Sequence, residues 1–262
     1  EDWAENEHGS HVAGIMAANR DGSDADGNMQ GVAFDAGLAS AARTFGYLND
    51  DVTRQIIAAL TEAFSGKDDI KVINNSWGNY SVGYYFWFDG KSLDFIRSEI
   101  VSEIGAALLD LSVREGKLIV FAASNSGNLG PISPASYPTF YPEATAWLSV
   151  MALDPSKVTI DSQGKKTLGD EAIANFSNLA FGAEEYSLLA PGVDINSINS
   201  ANLDGYTLMS GTSMAAPYVT GAAGLVQQAY PWMSGKQLAD TLLSTADRDF
   251  NYPDFYVDMD ET

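Results

Sequence analysis

The segment KLIVFAASNSGN (117–128) opens with an almost unbroken apolar run and ends in small and amide residues. A strand of that kind has to be covered on both faces, because no alternate position is left for water. It follows SLDFIRSEIVSEIGAALLDLSVREG (92–116), whose apolar residues recur at helical spacing until Gly116 stops the pattern. A helix feeding directly into a doubly buried strand points to a parallel sheet made of alternating strands and helices.

The rest of the chain repeats that alternation. DVTRQIIAALTEAF (51–64) predicts a helix, and DDIKVINNSWG (68–78) predicts a short strand ending in glycine. VAFDAGLASAARTF (32–45) and TAWLSVMALD (145–154) are read as strands, and KVTIDSQGKKTLGD (157–170) as a hairpin-like excursion. GTSMAAPYVTGAAGLVQQAY (211–230) predicts a helix rich in Ala and Gly. SGKQLADTLLSTA (234–246) predicts another, with Ser234 as its N-cap. The expected fold class is α/β, a mainly parallel twisted sheet with helices on both faces. One domain is expected over 1–246, with DRDFNYPDFYVDMDET (247–262) as an acidic tail or the start of a further segment.

Composition narrows the function. Of 262 residues, 45% are hydrophobic and 19% charged, a globular balance with ample material for a core. The net charge of −21 disfavours nucleic acid and anionic membrane surfaces, which both need a basic face. The absence of cysteine excludes disulfides, thiolate metal sites and cysteine nucleophiles. No apolar run reaches the roughly 18 residues of a membrane span, and no signal-peptide pattern is present.

Three segments carry chemistry. HGSHVAGIMA (8–17) holds both histidines, His8 and His11, on a helix with a small-residue face at Gly9, Ala13, Gly14 and Ala17. In SGTSMAAPYVTGAAGLV (210–226), Ser213 precedes Pro217, read as lying in the first helical turn where its missing N–H is not needed. That places Ser213 at a helix N-terminus, whose N–H groups and dipole favour an oxyanion. Asn125, in the turn after the buried strand, could donate an amide hydrogen to the same charge. Taken singly, each has an ordinary reading: helix histidines, an N-cap serine, a turn asparagine.

Taken together and in order, they resemble the subtilisin-like serine proteases, the subtilases. HGSHVAGI is close to that family's HGTHVAGI, with Ser10 in the place of Thr. SGTSMAAPYVTGAAGLV is nearly its serine motif. AASNSGN matches its AAGN segment, with Ser124 where Gly is usual. VINNSWG (72–78) and FSNLAFGAEEYSLLAPGVDINS (176–197) match two further stretches. The resemblance spans roughly positions 1 to 246. It implies His8 as general base and then acid, Ser213 as nucleophile, and Asn125 with the Ser213 N–H as oxyanion donors. It also implies that Ser76, Trp77 and Gly78 pair with a polypeptide substrate as an added strand, and that Ala123 and Ser124 help to wall the pocket before the scissile bond. His11 is expected to pack.

The family's aspartate is the missing part. Only seven residues precede His8, too few for the strand that should carry it. The expectation is that this chain is a fragment lacking the N-terminal strand with the catalytic Asp; the alternative is a pseudoprotease that binds peptides without cutting them. In subtilisin itself, loss of that aspartate lowers kcat about 3 × 10⁴-fold, or about 6 kcal/mol of transition-state stabilisation. The chain as given is thus expected to be nearly inactive.

The separation of His8 from Ser213 is about 48 positions longer than in subtilisin. YSVGYYFWFDG (80–90), with the helix after it, and YPTFYPEATAWLSVMALDPSKVTIDSQGKKTLGDEAIANFSN (137–178) are the expected insertions. YPTFYPEATAWLSVMALD and RDGSDADGNMQGVAFDA (20–36) resemble the passenger protease domains of bacterial autotransporters. That implies an extracellular or cell-surface location and a C-terminal β-barrel translocator as partner. No cofactor is required by this reading. Asp21, Asp24, Asp26 and Asn28 in the loop 20–31 could offer oxygen ligands to calcium, although the EF-hand spacing fails.

Overall fold

A computed structural model of the chain describes residues 3–20, 29–41, 50–78, 103–169, 171–201 and 205–248. Its centre is a four-stranded parallel sheet of β1 (Val72–Asn75), β2 (Leu118–Ala122), β3 (Trp147–Leu153) and β6 (Ser187–Pro191), in the order β1-β2-β3-β6. β2 is buried at all five positions, as its apolar run demanded. Asn75 stands opposite Phe121, and Ala122 opposite Val150, which fixes the register through the middle of the sheet. β4 (Val158–Ile160) and β5 (Lys166–Leu168) form the expected antiparallel hairpin. A second hairpin joins β7 (Ile195–Asn199) to β8 (Gly205–Met209), the last strand before the serine segment.

The two faces of the sheet are covered by different helices. On one face lie α2 (Asp50–Phe64), α3 (Glu103–Val113) and the single turn α4 (Tyr137–Phe140). Ile73, Ile119, Phe121 and Trp147 point to them and pack with Ile56, Leu60, Ile104, Leu108 and Tyr137. The rings form a continuous stack: Phe121 lies 5.5 Å from Trp147, and Trp147 5.5 Å from Tyr137. On the other face lie α5 (Thr212–Ala229) and α6 (Gly235–Thr245). Leu118, Val120, Leu148 and Val150 meet Ala215, Ala216, Val219 and Ala223 of α5, with Leu238 and Ala239 of α6. Alternation of neighbouring β2 residues between these two clusters is what a strand buried on both faces requires. Ser234 caps α6 in a reciprocal box with Gln237, as expected.

α1 (Trp3–Ala17) lies against α5 and β7. Val12 and Ile15 form a small cluster with Ile195 and Met214. Gly14 permits the approach: a Cβ there would run into the Ser197 hydroxyl and come within 2.9 Å of Ile198. Gly9, by contrast, faces open space, so only part of the small-residue face is used for packing.

The strand expected over 32–45 is not formed over its described part, 32–41. Residues 32–35 form a turn, and 36–41 have no regular structure. The N–H groups of Gly31, Val32 and Ala33 donate to the carbonyls of Ala18, Ile15 and Met16. Those donors close the end of α1 and are not available to a sheet ladder. Of the long helix expected over 92–116, the described part is α3, and residues 79–102 with their aromatic stretch lie outside the described residues. Among the described residues, no helix is long and apolar enough to cross a membrane.

Candidate active site

Ser213 is the second residue of α5, and Gly211 precedes the helix. Pro217 is the sixth residue of the helix, a turn later than the sequence suggested. A proline there withholds the N–H that would pair with the carbonyl four residues back, which is that of Ser213. The Ser76 hydroxyl takes its place and donates to Ser213 O at 2.8 Å. In return the Ser213 hydroxyl donates to Ser76 O at 3.3 Å. A polar chain supports this exchange. Thr220 Oγ1 donates to Asn74 Oδ1 at 3.0 Å, and Asn74 Nδ2 donates to Ser76 Oγ at 3.0 Å. The end of β1 is thereby tied to α5 in two places, at its start through Ser213 and near its middle through Thr220.

Asn125 projects from the turn after β2 and is exposed. Its Oδ1 accepts from the Thr212 N–H at 2.8 Å and from Thr212 Oγ1 at 2.9 Å. With the oxygen so engaged, the amide Nδ2 faces the other way, toward Gly211. A Cβ on Gly211 would stand 3.3 Å from Asn125 Nδ2 and 3.6 Å from Ser213 N. Two donors therefore flank one space that glycine leaves empty. Ser124 holds φ at +100°, a left-handed backbone that L-residues rarely adopt. This accounts for glycine being usual at that place. Its N–H donates to Thr212 Oγ1 at 3.2 Å.

His8 is half-buried on α1, one turn before His11 and Val12. Val12, one turn after His8, shares a cluster with Met214, the neighbour of Ser213, so the middle of α1 meets the start of α5. Burial first, and the charge of His11 second, hold the His8 imidazole below its ordinary value of 6.5. The neutral ring, the form able to accept a proton, is thus favoured near neutral pH. His11 is fully buried and does pack. Its Nε2 lies 3.0 Å from both Ile195 O and Thr207 O, so Nε2 carries the proton and the ring bolts α1 to the β7–β8 hairpin.

The remaining sequence candidates are distributed as follows. Trp77 Nε1 donates to Asn75 Oδ1 at 3.1 Å, and its ring meets Phe121 edge-on at 5.1 Å. A Cβ on Gly78 would stand 3.5 Å from the Ile132 side chain. Ala123 is fully buried, with its N–H on Val150 O at 3.0 Å, which leaves Ser124 as the more accessible of the pair. Residues 21–28 of the acidic loop lie outside the described residues. Among the described residues, no cluster of three or more His, Asp or Glu could hold a metal. Sequence reasoning missed Thr212, Asn74 and Thr220. Their signal was faint: polar residues at the end of a strand and along an otherwise small-residue helix.

Comparison with known proteins bears on the family and the fold. A model of the subtilase family matches residues 2–257. The chain is 31% identical to subtilisin DY of Bacillus licheniformis, over 90% of this chain and 76% of that protein. It is 30% identical to an extracellular serine protease of Serratia marcescens, over 92% of this chain but only 25% of that protein. The chain thus spans a quarter of the length of that longer relative. Among solved structures, the prenylagaramide maturation protease PagA superposes with a TM-score of 0.59 at 26% identity, covering 92% of this chain and 73% of the other. A cold-adapted subtilisin-like serine proteinase gives 0.58 at 23% identity over 93% and 70%, a likeness of fold alone. Motifs, parallel sheet and family match converge, and the chain belongs to the subtilase family.

Proposed function

We propose that this chain is the nucleophile-bearing part of a serine endopeptidase. The observation that carries the reading is the pair of donors at Gly211. Asn125 is oriented by Thr212 so that its Nδ2 opens on the same space as the Ser213 N–H. Donors preset around a developing oxyanion are commonly the largest single contribution to acyl-transfer catalysis.

In this mechanism the Ser213 hydroxyl leaves Ser76 O and gives its proton to His8 as Oγ attacks the scissile carbonyl carbon. The carbonyl oxygen becomes an oxyanion held by Asn125 Nδ2 and Ser213 N. Collapse breaks the C–N bond, and His8 returns the proton to the departing amine. Water then repeats the cycle on the acyl-enzyme. The substrate runs along Ser76–Gly78 as an added strand, at β1, the end strand of the described sheet. This reading also calls for a carboxylate to orient His8. Extracellular location is supported by the name of the Serratia relative. Carriage by a C-terminal β-barrel rests on the resemblance of residues 137–154 and 20–36 to autotransporter passengers.

The test is labelling with a fluorophosphonate. The full-length protein is expected to label, Ser213→Ala is expected not to, and residues 1–262 alone are expected to label at least 10³-fold more slowly. Full-length protein that folds and binds peptide without labelling would replace this reading with the pseudoprotease.

A further inference from the structure

Asn178 belongs to none of the roles above, yet it is fully buried and spends its side chain on a single loop. Its Oδ1 accepts from the N–H of Ser126 at 2.9 Å and of Asn128 at 3.2 Å. Its Nδ2 donates to Gly130 O at 3.0 Å. Its own N–H donates to Ser124 O at 2.9 Å. The loop 124–130 is the one that carries Asn125. It has no helix or strand of its own and contains two left-handed residues, Ser124 at +100° and Gly127 at +64°. Backbone donors in such a loop need partners supplied from elsewhere. An amide is the neutral side chain able to accept two N–H bonds at one end and donate at the other.

We propose that Asn178 is a positioning residue for the oxyanion donor Asn125. The inference rests on the reading of Asn125 given above. The bonds at Ser124 O and Ser126 N grip the chain on either side of Asn125. Thr212 sets the rotation of the Asn125 amide, and Asn178 holds the backbone from which that amide projects. Loss of the grip weakens an interaction made only with the transition state, so it lowers kcat and spares KM.

The experiment is a double-mutant cycle in the full-length protein, with active sites titrated by fluorophosphonate so that rates refer to folded, competent enzyme. Asn125→Ala is expected to lower kcat by about 10²–10³-fold, the magnitude known for this donor in subtilisin. Asn178→Ala is expected to lower kcat by up to about 10²-fold with KM little changed. The double variant is expected to be no slower than Asn125→Ala alone. Full additivity, or an unchanged kcat in Asn178→Ala, overturns the proposal and leaves the role of Asn125 standing. An unchanged kcat in Asn125→Ala overturns both. If Asn178→Ala yields no titratable sites, Asn178→Ser takes its place: it leaves a neutral polar group in the buried site but is too short to span the N–H groups of Ser126 and Asn128 and the carbonyl of Gly130. Its kcat is expected to fall with KM little changed, and an unchanged kcat, or a loss that persists beside Asn125→Ala, overturns the proposal.

Discussion

The two faces of the sheet are built from the same strands and use opposite means. The face under α2 and α3 is filled by large rings, with Phe121, Trp147 and Tyr137 stacked in series. The face under α5 is filled by Ala215, Ala216 and Ala223 against short aliphatics. Rings fill space and contribute apolar burial of about 1.5–3 kcal/mol per side chain. Alanines contribute little area but let a helix backbone come close to the sheet. Closeness is what the second face needs, because its products are hydrogen bonds: Ser76 to Ser213 at 2.8 Å, and Thr220 to Asn74 at 3.0 Å. One face holds the molecule together, and the other sets distances.

The strongest way to break that comparison is to empty the aromatic face. Trp147→Ala is expected to cost about 3–5 kcal/mol in denaturant unfolding, while kcat per titrated site stays near that of the parent. A comparable fall in kcat per site would show that the faces are not separable. A matched pair of smaller changes sharpens the point. Gly105→Ala would drive a methyl into the buried Tyr137 hydroxyl, and Gly14→Ala would drive one into Ser197 and Ile198. Each is expected to cost about 1–3 kcal/mol by overpacking. Only Gly14→Ala is expected to lower kcat per site, because it pushes α1, and His8 with it, off the hairpin.

Acid probes the same face more gently. His8 and His11 are both held below their ordinary 6.5, burial being the first cause in each. The unfolded chain therefore takes up protons before the folded one does, so stability is complete above pH 6.5 and declines as pH falls below it. The unfolding midpoint at pH 5.5 is expected below that at pH 7.5, and His11→Gln is expected to reduce the difference. A flat profile would mean that neither ring is desolvated. The smallest effect is at Ser124. Replacing it by glycine relieves a left-handed backbone worth about 1–3 kcal/mol but adds unfolded-state entropy of about 0.5–1 kcal/mol. Ser124→Gly is expected to raise stability by about 1 kcal/mol, read as a higher denaturation midpoint.

Legibility followed the kind of interaction. The strands at 118–122 and 147–153 were visible because burial on both faces leaves an apolar signature in consecutive residues. The helices at 50–64 and 235–245 were visible from periodicity and from Ser234. The strand expected at 32–45 failed because its apolar composition concealed where its first N–H groups go, which is to the end of α1. β8 was missed: only alternate positions of Gly205–Met209 are covered, and Tyr206 and Leu208 stand outward. His8, Asn125 and Ser213 were found through short motifs. The residues that hold them were not, since Thr212, Asn74 and Asn178 act through a few hydrogen bonds each, to partners up to 146 positions away. Such bonds leave no period in a sequence.

Those same separations bear on when the site comes into being. Ser76 meets Ser213 across 137 positions, and His11 meets Thr207 across 196. Contacts so distant along the chain close large loops and form late, after local helices and the sheet core. A nascent or partly collapsed chain thus contains Ser213 before Ser76, 137 positions away, and Asn125, tied to Thr212 across 87, are brought beside it. On the function proposed above, such a delay would keep Ser213 from acting as a nucleophile until folding is finished.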